Sequence, residues 1–461
     1  MAKTHERRER LRFPPPLLFK KRVPSGRGAM EQPNAVGDGP TVLSVRFWIA
    51  LVLTGIAAGL LGDFLMVILF NTQYWLYDFH SGSAQAAAFR ATPLHRVTVL
   101  TAAGAFGGIA WLLLRRYTRG EKAELYDVLW TREGELSFRR CLGTSVVSEV
   151  VIGAGASLGR VAAARLMGGA SGSVLGKRFG LTSEQRRLLI ACGGGAGMAA
   201  LYNTPLGGAL FSAEILYGSI TLPVVLPAVA CSGIATLVGY LYLPAEASYT
   251  GFPAYHSSPS LLIWSLIAGP LIGLLATLYI RLIGWISHHR IKGNWTVPAS
   301  IAAFGLLGVI GIEYPELFGP GRDMAQMVFL GHSDDVRLTV GLLFVLFMLK
   351  PLVTAMCLGS GASGGVFSPF FSTGAMFGGL AGLLWSHIWP GTPVGAFALV
   401  GSAAMLGAAL QAPLTSLVVV LEFTQTSFGI MIPVVLATFL ATAVARHIDG
   451  YSIYSARLPG M

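Results

Sequence analysis

Gly153 to Val161 reads GAGASLGRV, and Gly359 to Phe367 reads GSGASGGVF, the same pattern 206 positions later. A second pair follows in the same order. Asn203 to Glu214 reads NTPLGGALFSAE and Gln411 to Glu422 reads QAPLTSLVVVLE, 208 positions apart. In both, Glu stands nine residues after the Pro of Pro-Leu. Chance glycine matches explain one such pair, hardly two at nearly one offset. The chain therefore reads as two related halves. The boundaries expected are a basic cytoplasmic tail over 1–41, a first membrane repeat over 42–242, an extracellular connection over 243–260, and a second repeat with the last pore helix over 261–461.

What surrounds these loops sets the class. The 461 residues are 53% hydrophobic and only 12% charged, against about 25% charged in an ordinary soluble domain. Nearly uncharged runs recur from Val42 to Phe70, Val97 to Leu114, Leu261 to Ile280, Val297 to Ile312, Val340 to Met356 and Phe397 to Leu421. Several approach or pass the roughly 20 residues that span a bilayer. So many runs exclude a soluble core and predict an all-α polytopic membrane protein. The 58 glycines fit close helix packing and broken helices.

The net charge of +11 lies at membrane-flanking positions, so it points to no nucleic acid. The first 22 residues, RRYTRGEK (Arg115 to Lys122) and HHRIK (His288 to Lys292) are basic, whereas YLPAEASYTGFPAYHSSPS (Tyr242 to Ser260) has no Lys or Arg. The positive-inside rule puts the basic stretches and both termini in the cytoplasm and that loop outside. The amino-terminal stretch has no apolar core suited to a cleaved leader. Cys141, Cys192, Cys231 and Cys357 are scattered, with no redox or metal spacing. No metal site or cofactor is expected.

Inverted repeats put a substrate site where helices break near mid-membrane. The first turn of a helix leaves N–H groups without partners and carries partial positive charge. A glycine-rich loop opening a helix lets an anion reach them. Gly159 precedes one such helix and Gly365 the other. A dipole end contributes at most about 2 kcal/mol, far below the cost of dehydrating an anion. Direct N–H and O–H donors must supply the rest, which favours a small inorganic anion.

GASLGRV, YNTPLGGALFSAE, GGVFSPFFSTGA, QAPLTSLVVVLEFT and YSIYSARL together resemble the CLC chloride channels and chloride/proton exchangers, over about Val42 to Leu458. Gly365-Val-Phe-Ser-Pro369 fits that family's GxFxP motif. The resemblance implies two inverted-topology repeats of tilted and broken helices, a homodimer with one pore per subunit, and chloride as the ligand. It implies that the N–H groups of Val366 and Phe367 and the hydroxyl of Tyr454 contact the anion. The chain stops soon after Tyr454, so no regulatory domain is expected to follow. A bacterial inner membrane is the expected location.

Three departures from the family pattern decide the mechanism expected. In G-(K/R)-E-G-P the Glu is a gate and proton carrier; here Gly159-Arg160 is followed by Val161, which cannot ionise. The inner proton-accepting Glu is Ile215, and Glu214 beside it is read as structural because Glu422 repeats it. The family's serine motif falls on Lys122-Ala123-Glu124, with Ala123 at the serine position. The anion there would rely on backbone N–H and Tyr454, with Glu124 facing away and Lys122 offsetting it. The reading is a passive chloride channel uncoupled from protons. Its alternatives are an exchanger using other acids, a fluoride or nitrate transporter of the same family, and a non-conducting scaffold. A membrane-embedded enzyme would need a cluster of acids, His or Cys that the sequence lacks.

Overall fold

Ser44, Thr92, Ser137, Thr182, Ser258 and Thr339 each accept a backbone N–H of the helix they precede, which satisfies amides that the helix itself cannot. These caps start much of a helical scaffold. A computed structural model describes residues 43–78, 84–122, 124–131, 135–331, 338–425 and 428–458; the tail over 1–41 and Ala123 lie outside the described residues. Residues 41–461 form one compact unit.

Among the described residues there are seventeen α-helices. They are α1 (Val45–Tyr77), α2 (Ala84–Arg90), α3 (Pro93–Tyr117), α4 (Leu125–Thr131), α5 (Phe138–Gly153), α6 (Val161–Arg178), α7 (Ser183–Tyr202) and α8 (Pro205–Leu210). After a π-helical turn over Phe211–Tyr217 come α9 (Leu222–Gly239), α10 (Pro259–His288), α11 (Thr296–Glu313), α12 (Arg322–Leu330) and α13 (Val340–Gly359). The last four are α14 (Phe367–Trp385), α15 (Val394–Leu410), α16 (Pro413–Thr424) and α17 (Met431–Ile448). Among the described residues, eight helical segments are long and apolar enough to cross a membrane.

Helices α1 and α10, of 33 and 30 residues, reach about 45–50 Å at 1.5 Å per residue. That exceeds a hydrocarbon layer of about 30 Å, so both must tilt or project beyond it. Each exposes an apolar stripe at helical spacing: Ile49, Leu53, Ile56, Leu60 and Phe64 on α1, and Ile263, Ile267, Leu271, Leu274 and Leu278 on α10. Soluble monomers do not expose patches of this extent; lipid covers them. Helices α6, α7, α14 and α15 are rich in small residues and largely buried.

Packing inside a bilayer depends on close contact more than on the hydrophobic effect, and glycine sets that contact here. A Cβ on Gly168 of α6 would lie 2.0 Å from the Gly193 carbonyl oxygen of α7. At the matching place, a Cβ on Gly374 of α14 would lie 2.6 Å from the Gly401 carbonyl oxygen of α15. The repeats agree in their bends too. Asn203 and Gln411, which end α7 and α15, both take the left-handed conformation, at φ 55° and 56°.

A local two-fold relates the halves. Gly159 N–H donates to the Gly365 carbonyl at 2.7 Å, and Gly365 N–H returns a bond to the Gly159 carbonyl at 2.9 Å. The Glu422 carboxylate accepts from the N–H groups of Leu206 and Gly207, at 2.9 and 2.6 Å, at the start of α8. In return, Glu214 Oε2 accepts from Thr415 N–H at 2.7 Å and Thr415 Oγ1 at 2.6 Å, at the start of α16. Each repeat thus caps the other's short helix. The two recurring glutamates are structural, as their repetition predicts.

Candidate anion site

Helices α6 and α14 begin in the protein interior, at Val161 (0% exposed) and Phe367 (1% exposed). Neither has a side-chain cap. The loops before them make the same turn, with Gly155 and Gly361 at φ 110° and 99°. The Gly159–Gly365 pair joins the two loops back to back. A Cβ on Gly365 would stand 2.8 Å from the Gly159 carbonyl oxygen, so Gly365 needs glycine, and one on Gly159 would be tight at 3.1 Å from the Gly365 carbonyl oxygen. First-turn amides have no partner within their own helix. Those of Val161 and Ala162 on one side, and of Val366 and Phe367 on the other, meet no other backbone acceptor among the described residues. Pro369, also in the first turn of α14, costs no hydrogen bond there because that amide would have been unpaired anyway.

A cavity of about 260 Å³ lies against this junction. Gly365, Val366, Ala162 and Tyr454 line it; Val161, Phe367, Gly159, Arg160, Pro369 and Ile215 do not. Arg165, Arg290, Lys292 and Arg457 give its wall four full cations, against the single carboxylate of Glu124. Glu124 had been expected to face away. It lies directly before α4, where its carbonyl accepts Val128 N–H at 3.4 Å, and it is among the residues that line the wall. A cleft lined with one sign of charge concentrates counter-ions.

Arg165 is the residue that sequence reading passed over. It stands one turn after Val161 on α6 and is 4% exposed. One of its terminal nitrogens, Nη1, donates to the hydroxyl of Tyr126 at 3.0 Å and to that of Tyr454. The guanidinium also lies over the rings of Phe211 and Tyr454, at 4.9 and 5.0 Å. Tyr126 and Tyr454 stack at 4.1 Å. The stretch where the serine motif is lost therefore does present a hydroxyl, from Tyr126 on α4. Burying a cation costs several kcal/mol. Hydrogen bonds to a charged group return roughly 1.5–3 kcal/mol each, and a desolvated cation–π contact about 2 kcal/mol. The balance is close, Arg165 Nε has no partner, and among the described residues no carboxylate pairs with this guanidinium.

The junction also holds a second buried arginine and a buried acid. Arg160 turns from the cavity to Tyr202, 5.4 Å from its ring, and Met66. Glu149 of α5 is fully buried, within electrostatic reach of Arg160, and neither of its oxygens has a hydrogen-bond partner. Ile215 is buried in the π-helical turn after α8. The same turn brings Phe211 edge-on to Tyr454, 6.1 Å between centroids. Among the described residues no group of His, Cys, Asp and Glu has the arrangement of a metal site. All four cysteines are free and buried.

Buried amide ends beside a cationic chamber, on two related bundles of apolar helices, are the parts of a membrane-embedded anion transporter. The family described as "Voltage gated chloride channel" matches residues 106–446, and the chain belongs to it. Among curated proteins it is 30% identical over 349 residues to the H(+)/Cl(-) exchange transporter ClcA of Yersinia pestis bv. Antiqua (strain Angola), covering 74% of this chain and 70% of that one. It is 28% identical over 437 residues to ClcA of Citrobacter koseri, covering 89% and 88%. Among solved structures, a slow cyanobacterial Cl⁻/H⁺ antiporter superposes with TM-score 0.76 at 22% identity, over 89% of this chain and 97% of that one. A CLC-type fluoride/proton antiporter superposes with TM-score 0.71 at 19% identity, over 89% and 97%. These likenesses fix the fold: a CLC architecture of two inverted repeats in an integral membrane protein.

Proposed function

We propose that this protein is a passive channel for chloride, uncoupled from protons, with both termini in the cytoplasm of a bacterial inner membrane. The observation that carries the reading is Val161. It holds the first position of α6, where the amide ends of both repeats converge, and its side chain can neither compete with an anion as a charge nor relay a proton. Ile215, at the place of the inner acceptor, supports the same conclusion. The chloride contacts are assigned to the amides of Val366 and Phe367 and the hydroxyl of Tyr454. The cavity wall includes Arg290 and Lys292 from the basic stretch after α10, so its mouth is assigned to the cytoplasmic side. A homodimer is proposed because Leu206 and Leu414, matched residues after the two prolines, are 53% and 41% exposed on short helices. In mild detergent the protein should run at about twice 48.7 kDa plus micelle.

One observation favours a second reading. Glu149 is a buried acid near Arg160, and the curated relatives carry the name of exchangers. In that reading Glu149 carries the proton that Val161 cannot. The deciding experiment is the reversal potential of reconstituted protein under opposed chloride and pH gradients. A channel reverses at the chloride potential at every pH gradient. A reversal that follows the proton gradient, and stops doing so in Glu149→Gln, would establish the exchanger. Fluoride and nitrate in place of chloride test the ion.

A further inference from the structure

Among the described residues no acid answers the charge of Arg165. Its guanidinium is 4% exposed, its Nε is unpartnered, and it lies on the wall of the cavity. What it does bind are two hydroxyls, and both act as acceptors. A tyrosine oxygen that accepts from a guanidinium still has its own hydrogen to donate. Tyr126 and Tyr454 hold two such hydrogens, and if one hydroxyl donates to the other, one hydrogen is still left. The rings stack at 4.1 Å, and both tyrosines line the cavity. The Nη1–H bonds also polarise both O–H groups, which makes them stronger donors. A buried cation surrounded by donors and lacking an acid is incomplete until an anion joins it.

We propose that Arg165 is the fixed cation of an anion site in the cavity, where its guanidinium and the Tyr126 and Tyr454 hydroxyls hold a small monovalent anion, planar oxyanions such as nitrate included. The proposal rests on the reading of the cavity as part of the anion path, and it names the group that sets occupancy there. A guanidinium is a planar fork that meets an oxyanion through two parallel bonds, whereas an ammonium is a point charge. The site should therefore hold nitrate at least as well as chloride. Val366 and Gly365 on the same wall bring the amide end of α14 to the ion, so the site continues into the junction of the two repeats.

The test titrates chloride and nitrate, by calorimetry, into purified protein in detergent with a large organic acid as the only buffer anion. The variants are Arg165→Gln, Arg165→Lys and Arg457→Gln, each checked by size-exclusion and thermal unfolding. Arg165→Gln should weaken chloride binding about tenfold or more, the scale of one charge-assisted hydrogen bond. Arg165→Lys should restore chloride binding more fully than nitrate, because it returns the charge without the fork. Arg457→Gln, which removes an equal charge from the wall, should have the smaller effect. Chloride affinity within about twofold of the parent in folded Arg165→Gln, or an equal loss in Arg457→Gln, overturns the proposal. If Arg165→Gln does not fold, Arg165→Lys decides alone: an unchanged nitrate-to-chloride ratio overturns it. A parent that passes anions in liposomes while Arg165→Gln matches it refutes the role of Arg165 only. A parent that neither binds nor passes anions refutes the functional reading as well.

Discussion

The loops before α6 and α14 share a backbone and differ in charge. Gly155 matches Gly361 in its left-handed turn, Ser157 matches Ser363, and Gly159 bonds to Gly365 in both directions. Beyond the backbone the likeness ends. At the places of Arg160, Arg165 and Glu149 in the first half, the second half has Val366, Phe371 and Ala355. The two-fold carries Arg165, which faces a cationic cavity, onto Phe371, which packs among Tyr249, Phe329 and Phe423 with centroids 5.4–5.8 Å apart. Features present in both halves build the fold. Features present in one half set the repeats apart chemically, and the buried charges are among them.

The strongest break of this comparison strikes what is common. Gly193→Val would drive a side chain into the Gly168 carbonyl oxygen, already 2.2 Å from a Cβ at Gly193. The obstacle is backbone, so α6 and α7 must separate, at a cost of about 3 kcal/mol or more. We expect no monodisperse protein by fluorescence-detected size exclusion. Gly401→Val should fail likewise, since its Cβ meets the Gly374 carbonyl oxygen at 2.5 Å. If one variant folds well, the two crossings do not share one role.

Next in size is an attack on the difference. Val161→Glu puts a carboxylate beside the open amides of α6, which favour an anion. It should compete with chloride, so flux at neutral pH should fall by about tenfold, the equivalent of 1.4 kcal/mol. Acidification should partly restore it, because a protonated Glu loses that attraction. Proton exchange should not appear while Ile215 offers no inner acceptor. Val161→Ala controls for size and should stay open. A Val161→Glu protein that conducts like the parent at every pH would show that Val161 is off the path.

The caps sharpen the comparison at a smaller scale. Glu214→Gln and Glu422→Gln each weaken two charge-assisted bonds at the start of a helix, and should cost about 1 kcal/mol apiece. Thermal unfolding should find the two losses within a factor of about two, as befits equivalent residues. A loss of ion flux in Glu214→Gln alone would give that residue a role beyond capping.

Much of this was legible in order. The repeated GAGASLGRV and Pro-Leu…Glu segments disclosed the two halves, the structural glutamates and the position of both helix starts, because each is a local backbone event with its own residues. The inner helices α6 and α7 were less visible to hydropathy, since small residues there serve packing and face no lipid. The cavity was hardest to read. Arg165 meets Tyr126 and Tyr454 across 39 and 289 positions of chain, and no local pattern says that three such residues converge. The one clue was a lone charge in the uncharged stretch after Arg160. Glu124 was read as facing away on the argument that a pore repels acids. The structure sets Glu124, directly before α4, among the residues that line the cavity.

The least effect expected belongs to a surface asymmetry. Glu135 precedes α5 and accepts from Lys177 at 2.9 Å and Arg186 at 3.0 Å; its counterpart in the second half is Gly341. The Lys177 hydrogen bond, with the charges of Lys177 and Arg186, holds the Glu135 carboxyl below its ordinary range. Folding thus favours the ionised form. The stabilisation is complete above the unfolded value of about 4.3, and is lost as pH falls through the lower folded value. Because the carboxylate and Lys177 are largely exposed, the pair is worth only about 0.2–1 kcal/mol, less at high salt. Glu135→Gln should therefore unfold slightly earlier than the parent at pH 7 in low salt. The gap should close both on adding about 1 M salt, where the Debye length is near 3 Å, and on lowering the pH through the depressed folded value, where the parent's own carboxyl becomes protonated. A gap that persists at acid pH would mean that Glu135 acts by packing, and that the first half is not stiffened by charge at this edge.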